Sequence, residues 1–320
     1  MELNVKKLSN PDIVMNLFAN YFCKESLLED WVSFHWKEYG KKINVHINND
    51  GFIKSLQGYG FGDLEYTSIA HRIGSCLCNP SYFIKMSHQY KRDINFLSTI
   101  AEENLKRIES YLCYECFRQV CSFSTIRQYF NADKDNKFRV LIIGDGYGFL
   151  SSLVKRCYPN CLITLVDIGK ILLFQAVNLQ RIFPLCIHRL ISQDKDQDVR
   201  ADFLYVPAES LQRIKEGQYR LIINIASMQE MNNDSINSYF KFIRMNATRD
   251  NLFYCCNREL KILPGGEVID FFKYPWMNED RYLFDEICPF FKYFFSRQPP
   301  FIHKFDGPIR HRLVNLKIGI

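Results

Sequence analysis

The chain has 320 residues, 41 Lys+Arg against 35 Asp+Glu for a formal charge of +6, and 47% hydrophobic residues. This is the make-up of a folded protein with material for a sizeable core, divided at this length into one large or two smaller domains. The basic residues form no tract of the kind that grips nucleic acid, no run nears the ~20 apolar residues that cross a bilayer, and MELNVKKLSN leads into no secretory apolar core, which points to the cytoplasm.

From Pro11 to about Lys41 apolar residues recur at three- and four-residue spacing, which predicts one or two helices ended by Gly40. NNDGFIKSLQGYGFGDLEY then reads as a loop or short hairpin, and its glycines between Gly51 and Gly62 suit a mobile lid. The 12 cysteines include a single CxxC, Cys113 and Cys116. With no second ligand pair at tight spacing, buried reduced thiols explain it better than zinc.

Between Phe96 and Phe130 the period predicts a long amphipathic helix. The polar NADKDNK, Asn131 to Lys137, marks a linker. It divides a mainly helical region, residues 1–130, from a second unit, residues 131–320. The first serves as a lid over the acceptor or as an oligomerisation arm; sequence leaves both open.

After the linker, strand-like runs alternate with helical segments, the mark of an α/β fold with a mostly parallel sheet covered on both faces. Strands are expected at FRVLIIG, CLITLVD, ADFLYVP, YRLIINIAS, NLFYCCN and HRLVNLKI, and helices at Phe149 to Arg156, Ile171 to Arg181 and Ser235 to Met245.

The first of these strands runs into VLIIGDGYGFLSSLV, where Gly144, Asp145, Gly146, Tyr147 and Gly148 form a strand-to-helix turn that lets backbone approach a ligand. A dinucleotide fingerprint needs G-x-G-x-x-G, but Phe149 stands where the third glycine belongs, which argues against a nicotinamide or flavin cofactor. The G-x-G-x-G spacing resembles motif I of the class I methyltransferases that use S-adenosylmethionine. Asp167 closes the next strand at about the 20-residue offset where such units place a ribose-binding acid. Ile142 replaces the acid often found two residues before the first glycine, and Asp145 is a candidate substitute.

Three further strings, Leu221 to Phe240, Phe253 to Trp276 and Phe305 to Leu316, resemble the bacterial sugar O-methyltransferase family, over about residues 130 to 320. The resemblance implies a Rossmann-like class I methyltransferase sheet with an antiparallel last strand. It also implies S-adenosylmethionine as donor and, as acceptor, a sugar hydroxyl of a surface glycan such as lipopolysaccharide, or of its precursor.

Ligands bind outside the carboxyl ends of parallel strands. That edge brings up Ser227, Gln229 and Glu230 from one strand and Asn257 and Arg258 from the next. An antiparallel last strand adds Asp306, Arg310 and His311 from its beginning. Ser227 is expected beside the cofactor, and Gln229, Asn257, Arg258 and Arg310 beside the acceptor. Methyl transfer to a hydroxyl calls for a base. Glu230 and His311 are the candidates, although Glu230 could instead cap a helix and His311 could pair with a carboxylate. A divalent metal stays open as an aid to deprotonation. The rivals are a nicotinamide-dependent sugar-nucleotide enzyme, a non-catalytic scaffold in glycan assembly, and a methyltransferase acting on another class of acceptor.

Overall fold

The computed structural model describes residues 8–22, 41, 43–50, 52–57, 88–133, 135–191, 200–214, 217–295 and 302–319. Helix α1 (Pro11–Tyr21) opens on a proline, tolerated there because the first N–H has no intrahelical partner, and buries Ile13, Val14, Leu17 and Phe18. Strands β1 (Asn44–Ile47) and β2 (Ile53–Gln57) pair as an antiparallel hairpin. The glycine-rich stretch expected to form a lid lies largely outside the described residues.

The helix expected over Phe96 to Phe130 is two helices, α2 (His88–Arg107) and α3 (Tyr114–Tyr129). Glu109 at φ 57° turns the backbone left-handed, and Ser110 N–H folds back onto the Leu105 carbonyl at 2.8 Å, which ends α2.

Then follow β3 (Arg139–Ile143), α4 (Phe149–Cys157), β4 (Leu162–Asp167), α5 (Gly169–Ile182), β5 (His188–Leu190), β6 (Phe203–Pro207), β7 (Tyr219–Ile225) and α6 (Asn233–Asn246). The last part holds β8 (Ala247–Arg258), β9 (Leu260–Ile262), β10 (Val268–Asp270), β11 (Arg281–Ile287), β12 (Tyr293–Phe295), β13 (Ile302–Lys304) and β14 (Ile309–Asn315). All six expected strands of the second unit are present.

Eight strands form one sheet in the order β11-β14-β8-β7-β3-β4-β6-β5. Neighbours from β8 to β5 are parallel, and β14 runs antiparallel between β8 and β11. This is a Rossmann-like, mostly parallel sheet with an antiparallel strand near one edge, as expected. The strand order reverses at β3, so a crevice opens above its carboxyl end.

Side chains alternate between faces along a strand. Val140 and Ile142 of β3 join an apolar cluster with Phe117, Leu153 and Leu172, while Leu141 and Ile143 join Ile236, Phe240 and Phe271 on the other face. The first cluster also takes in Ile13, Val14 and Leu17 of α1.

Beneath the second cluster Arg244 of α6 meets Asp280 through two bonds of 2.8 Å and donates to the carbonyls of Lys317 and Pro275. Burial works to raise the Asp280 pKa, but the Arg244 hydrogen bonds, the N–H groups of Met277 and Lys317 and the Arg244 charge together outweigh it and hold the carboxyl below its ordinary value. Asp280→Ala strands a buried guanidinium, so urea unfolding is expected to show a loss of about 3–5 kcal/mol.

Candidate functional site

The turn after β3 is built on left-handed backbone. Gly144, Gly146 and Gly148 take φ of 75°, 61° and 80°, a region other residues enter at a cost of roughly 1–2 kcal/mol. Gly144 also has a steric reason: a Cβ there would lie 2.0 Å from Ser227 Oγ and 2.3 Å from Ser227 Cβ. Below the turn, Asn224 donates to the Ile143 carbonyl at 2.9 Å and accepts from Met228 N–H at 3.2 Å. Asn257 donates to Asn224 at 2.8 Å and accepts from Gln229 N–H at 3.0 Å. Two buried amides thus tie together the ends of β3, β7 and β8.

Asp145 accepts from the N–H groups of Leu150 and Ser151, each at 3.0 Å, and from Ser151 Oγ at 2.5 Å. Its carboxylate therefore serves the N-terminus of α4, the role a capping acid plays for unpaired amides. Burial nevertheless pushes its pKa up to about 6 against those bonds.

Asp167 accepts from Ile168 N–H at 2.9 Å and Gln175 Nε2 at 2.7 Å, and the Gly146 N–H bonds to it as well. A carboxylate has about four acceptor positions, which leaves about one for a ligand hydroxyl. Burial raises its pKa to about 7, with the Asp145 charge adding to the rise.

Above the turn lies a cleft of about 350 Å³. One end is formed by Gly144, Gly146, Tyr147, Asp167 and Ser227, with Asp145 at its floor. The other end carries Glu230, paired with Lys261 at 3.0 Å, and Arg258. Helix α3 adds Glu115, Arg118 and Gln119, and Phe291 and Phe305 roof the cleft around the Arg118 guanidinium, 4.5 and 4.9 Å from the ring centres.

Of the residues expected at the acceptor, Gln229 lines the cleft and its Oε1 accepts from Arg258 N–H at 2.8 Å. Asn257, fully buried, lies in the amide pair beneath. Arg310 is drawn away to Glu259 at 2.7 Å and Asp285 at 3.1 Å. His311 stands outside the cleft, 1% exposed, between Tyr254 OH at 3.1 Å and Glu286 at 3.3 Å. The register explains both: Ile309 pairs with Arg258 at the edge, so Arg310 and His311 lie further in, opposite Asn257 and Cys256. Burial works to lower the His311 pKa, but hydrogen bonding to Cys288 and Glu286 raises it. Of the two residues expected as base, Glu230 alone lines the cleft.

Sequence reasoning missed Asn224, Lys261, Phe291, Phe305 and the α3 residues. Asn224 is visible as the polar residue inside LIINI, and Glu115, Arg118 and Gln119 recur at i, i+3, i+4, one helical face. The aromatic roof has no local signal. Among the described residues no group of three or more His, Cys, Asp or Glu side chains is placed to hold a metal.

No family model matches the sequence, and no curated protein matches it. Solved structures do match. The mitomycin 7-O-methyltransferase MmcR aligns at 12% identity over 62% of this chain and 56% of its own, with a TM-score of 0.39. Coclaurine N-methyltransferase, bound to N-methylheliamine and SAH, aligns at 14% identity over 52% of this chain and 50% of its own, TM-score 0.35. A SAM-dependent methyltransferase of Leishmania major aligns at 8% identity over 91% of this chain and 99% of its own, TM-score 0.38. The chain spans about half the length of the first two.

Two outcomes are expected of the site. Gly144→Ala should lower the melting temperature, and Ser227→Gly in the same chain should recover part of the loss, because the next contact of the added Cβ is the Ser227 Cα at an ordinary 3.8 Å. The acids give a pH signature. Raised folded pKa values of about 6 and 7 mean that the folded state holds protons the unfolded chain releases near 4. Unfolding free energy should therefore fall as pH rises from about 4 to about 7, then level, and Asp167→Asn should flatten the upper half of that fall.

Proposed function

We infer that the protein is an O-methyltransferase that uses S-adenosylmethionine and acts on a hydroxyl of a small-molecule acceptor, with a sugar as the acceptor class. The observation that carries this reading is the glycine turn packed against Ser227 with Asp167 at the end of the neighbouring strand, both at the switch point of the sheet. The residues fit that cofactor: bare backbone at Gly144 and Gly146 gives close approach, and Asp167 keeps capacity for a ribose hydroxyl. Phe149, 4% exposed, fills the place of a third dinucleotide-binding glycine, which weighs against a nicotinamide cofactor.

Bound S-adenosylmethionine supplies an electrophilic methyl group on its sulfonium. Glu230 would accept the proton that the acceptor hydroxyl gives up on taking that methyl group. Lys261, 3.0 Å from Glu230, fixes the direction of that carboxylate. Support for a sugar comes from the cleft's other end, where Gln119, Gln229, Glu230 and Arg258 offer hydrogen bonds beside the flat faces of Phe291 and Phe305. A glycan precursor fits that mixture.

Calorimetry with S-adenosylhomocysteine tests the reading. Asp167→Ala should weaken binding by about 1.5–3 kcal/mol, the usual worth of a hydrogen bond to a charged group. A hydroxyl donor favours the carboxylate form of Asp167, so binding releases a proton, and affinity should rise from pH 6 to pH 8 through the pKa of about 7. Absence of binding sinks the proposal. Glu230→Gln should keep that affinity and lower turnover about a hundredfold or more, read as methyl incorporation into sugar acceptors by mass spectrometry.

A further inference from the structure

The cations at the cleft differ in how their charge is met. Lys261 has Glu230 at 3.0 Å, and Arg118 has Glu115 one turn away on α3. Behind the wall Arg310 and Arg312 are both held by Asp285, and Arg310 by Glu259 as well.

Arg258 is the exception. Its Nη1 donates to the Asp306 backbone carbonyl at 2.6 Å, while the Asp306 carboxylate, wholly exposed, stands 3.8 Å off. That separation exceeds hydrogen-bond length, and open water screens the charge. Nε and Nη2 of Arg258 have no acceptor among the described residues. The side chain is only 22% exposed, so most of its length is packed and its head group faces the cleft without a close counter-ion. Across the cleft Gln119 Oε1 is buried with no donor among the described residues.

Position assigns these atoms to the acceptor. In the order β8-β7-β3-β4 Arg258 ends the strand two beyond the glycine turn, on the side away from Asp167, and strands are spaced ~4.8 Å apart. Resting on the methyl-transfer reading of this cleft, we propose that the acceptor carries an oxyanion, a phosphate or a carboxylate, gripped by Nε and Nη2 of Arg258, while one of its hydroxyls donates to Gln119 Oε1. The planar guanidinium presents two parallel N–H bonds that match either group. The acceptor class is therefore an acidic or phosphorylated sugar rather than a neutral one.

The test is calorimetric titration of the full chain, saturated with S-adenosylhomocysteine, by inorganic phosphate and separately by acetate. One of the two should bind saturably, and which one does tells a phosphate from a carboxylate. Arg258→Gln should weaken that binding roughly tenfold or more, Arg258→Lys should fall between, and Asp306→Asn should tighten it by removing the loose competitor. Affinity for S-adenosylhomocysteine should stay within about twofold throughout, in line with the placement of Arg258 away from the cofactor. The proposal is overturned if neither anion saturates, if Arg258→Gln binds the anion as well as the unaltered chain, or if that variant loses S-adenosylhomocysteine instead. Should S-adenosylhomocysteine fail to bind at all, the methyl-transfer reading falls, and the same anion titration on the ligand-free chain still decides whether Arg258 holds an oxyanion.

Discussion

The approach of the Gly144 backbone to Ser227 leaves no room for a side chain, and the rest of the site is arranged around that contact. It requires β3 and β7 to end level and to stay level. Hydrophobic packing alone does not hold strand ends in register, because apolar contacts are non-directional. The Asn224–Asn257 pair supplies the direction, since each buried amide is bonded to a neighbour and to backbone at a strand end. Losing one of these amides would leave its partner's polar atoms buried and unmet, which costs more than the bond itself contributes.

From that fixed floor the two ends of the cleft handle charge differently. At the glycine turn Asp145 is buried and Asp167 half-buried, the Asp145 charge acts on Asp167, and both are met by amides and by Ser151 and Gln175 rather than by cations. Burial then favours their neutral forms. At the other end Glu230 and Glu115 each have a cation in contact. Two acids with pKa values of about 6 and 7 thus lie together at the glycine turn, so under the methyl-transfer proposal pH would act on cofactor affinity through Asp167.

How much of this was legible in sequence follows from how local each feature is. The central strands β3, β4, β6, β7 and β8 are buried apolar runs, and such runs announce themselves. The glycine turn and Asp167 are set by strand ends and a short offset, so they could be named from sequence. Strand β11 has mostly exposed positions and carries no such pattern, and β9, β10, β12 and β13 span three residues each, too short for a period to show. The break between α2 and α3 turns on one left-handed residue, Glu109, within a continuing helical period. His311 was misplaced for a geometric reason: the edge of an antiparallel strand is reached by its first residue, and two residues inward the side chain already belongs to the core beside Tyr254 and Phe284.

The far end of the cleft was the least legible because three distant segments build it. Residues 115 to 119 come from α3, Phe291 and Phe305 from the chain between β11 and β14, and Arg258 and Lys261 from around the end of β8. The Arg118 guanidinium lies against both Phe291 and Phe305, a cation–π arrangement strengthened as water is excluded. That contact joins the helical segment before the linker to the last part of the sheet. The two sides of this cleft wall come from segments far apart in the chain, and its shape depends on how the two pack. The α3 face and the aromatic insertion are thus built independently of the sheet and glycine turn, and under the methyl-transfer proposal those two segments would shape acceptor choice.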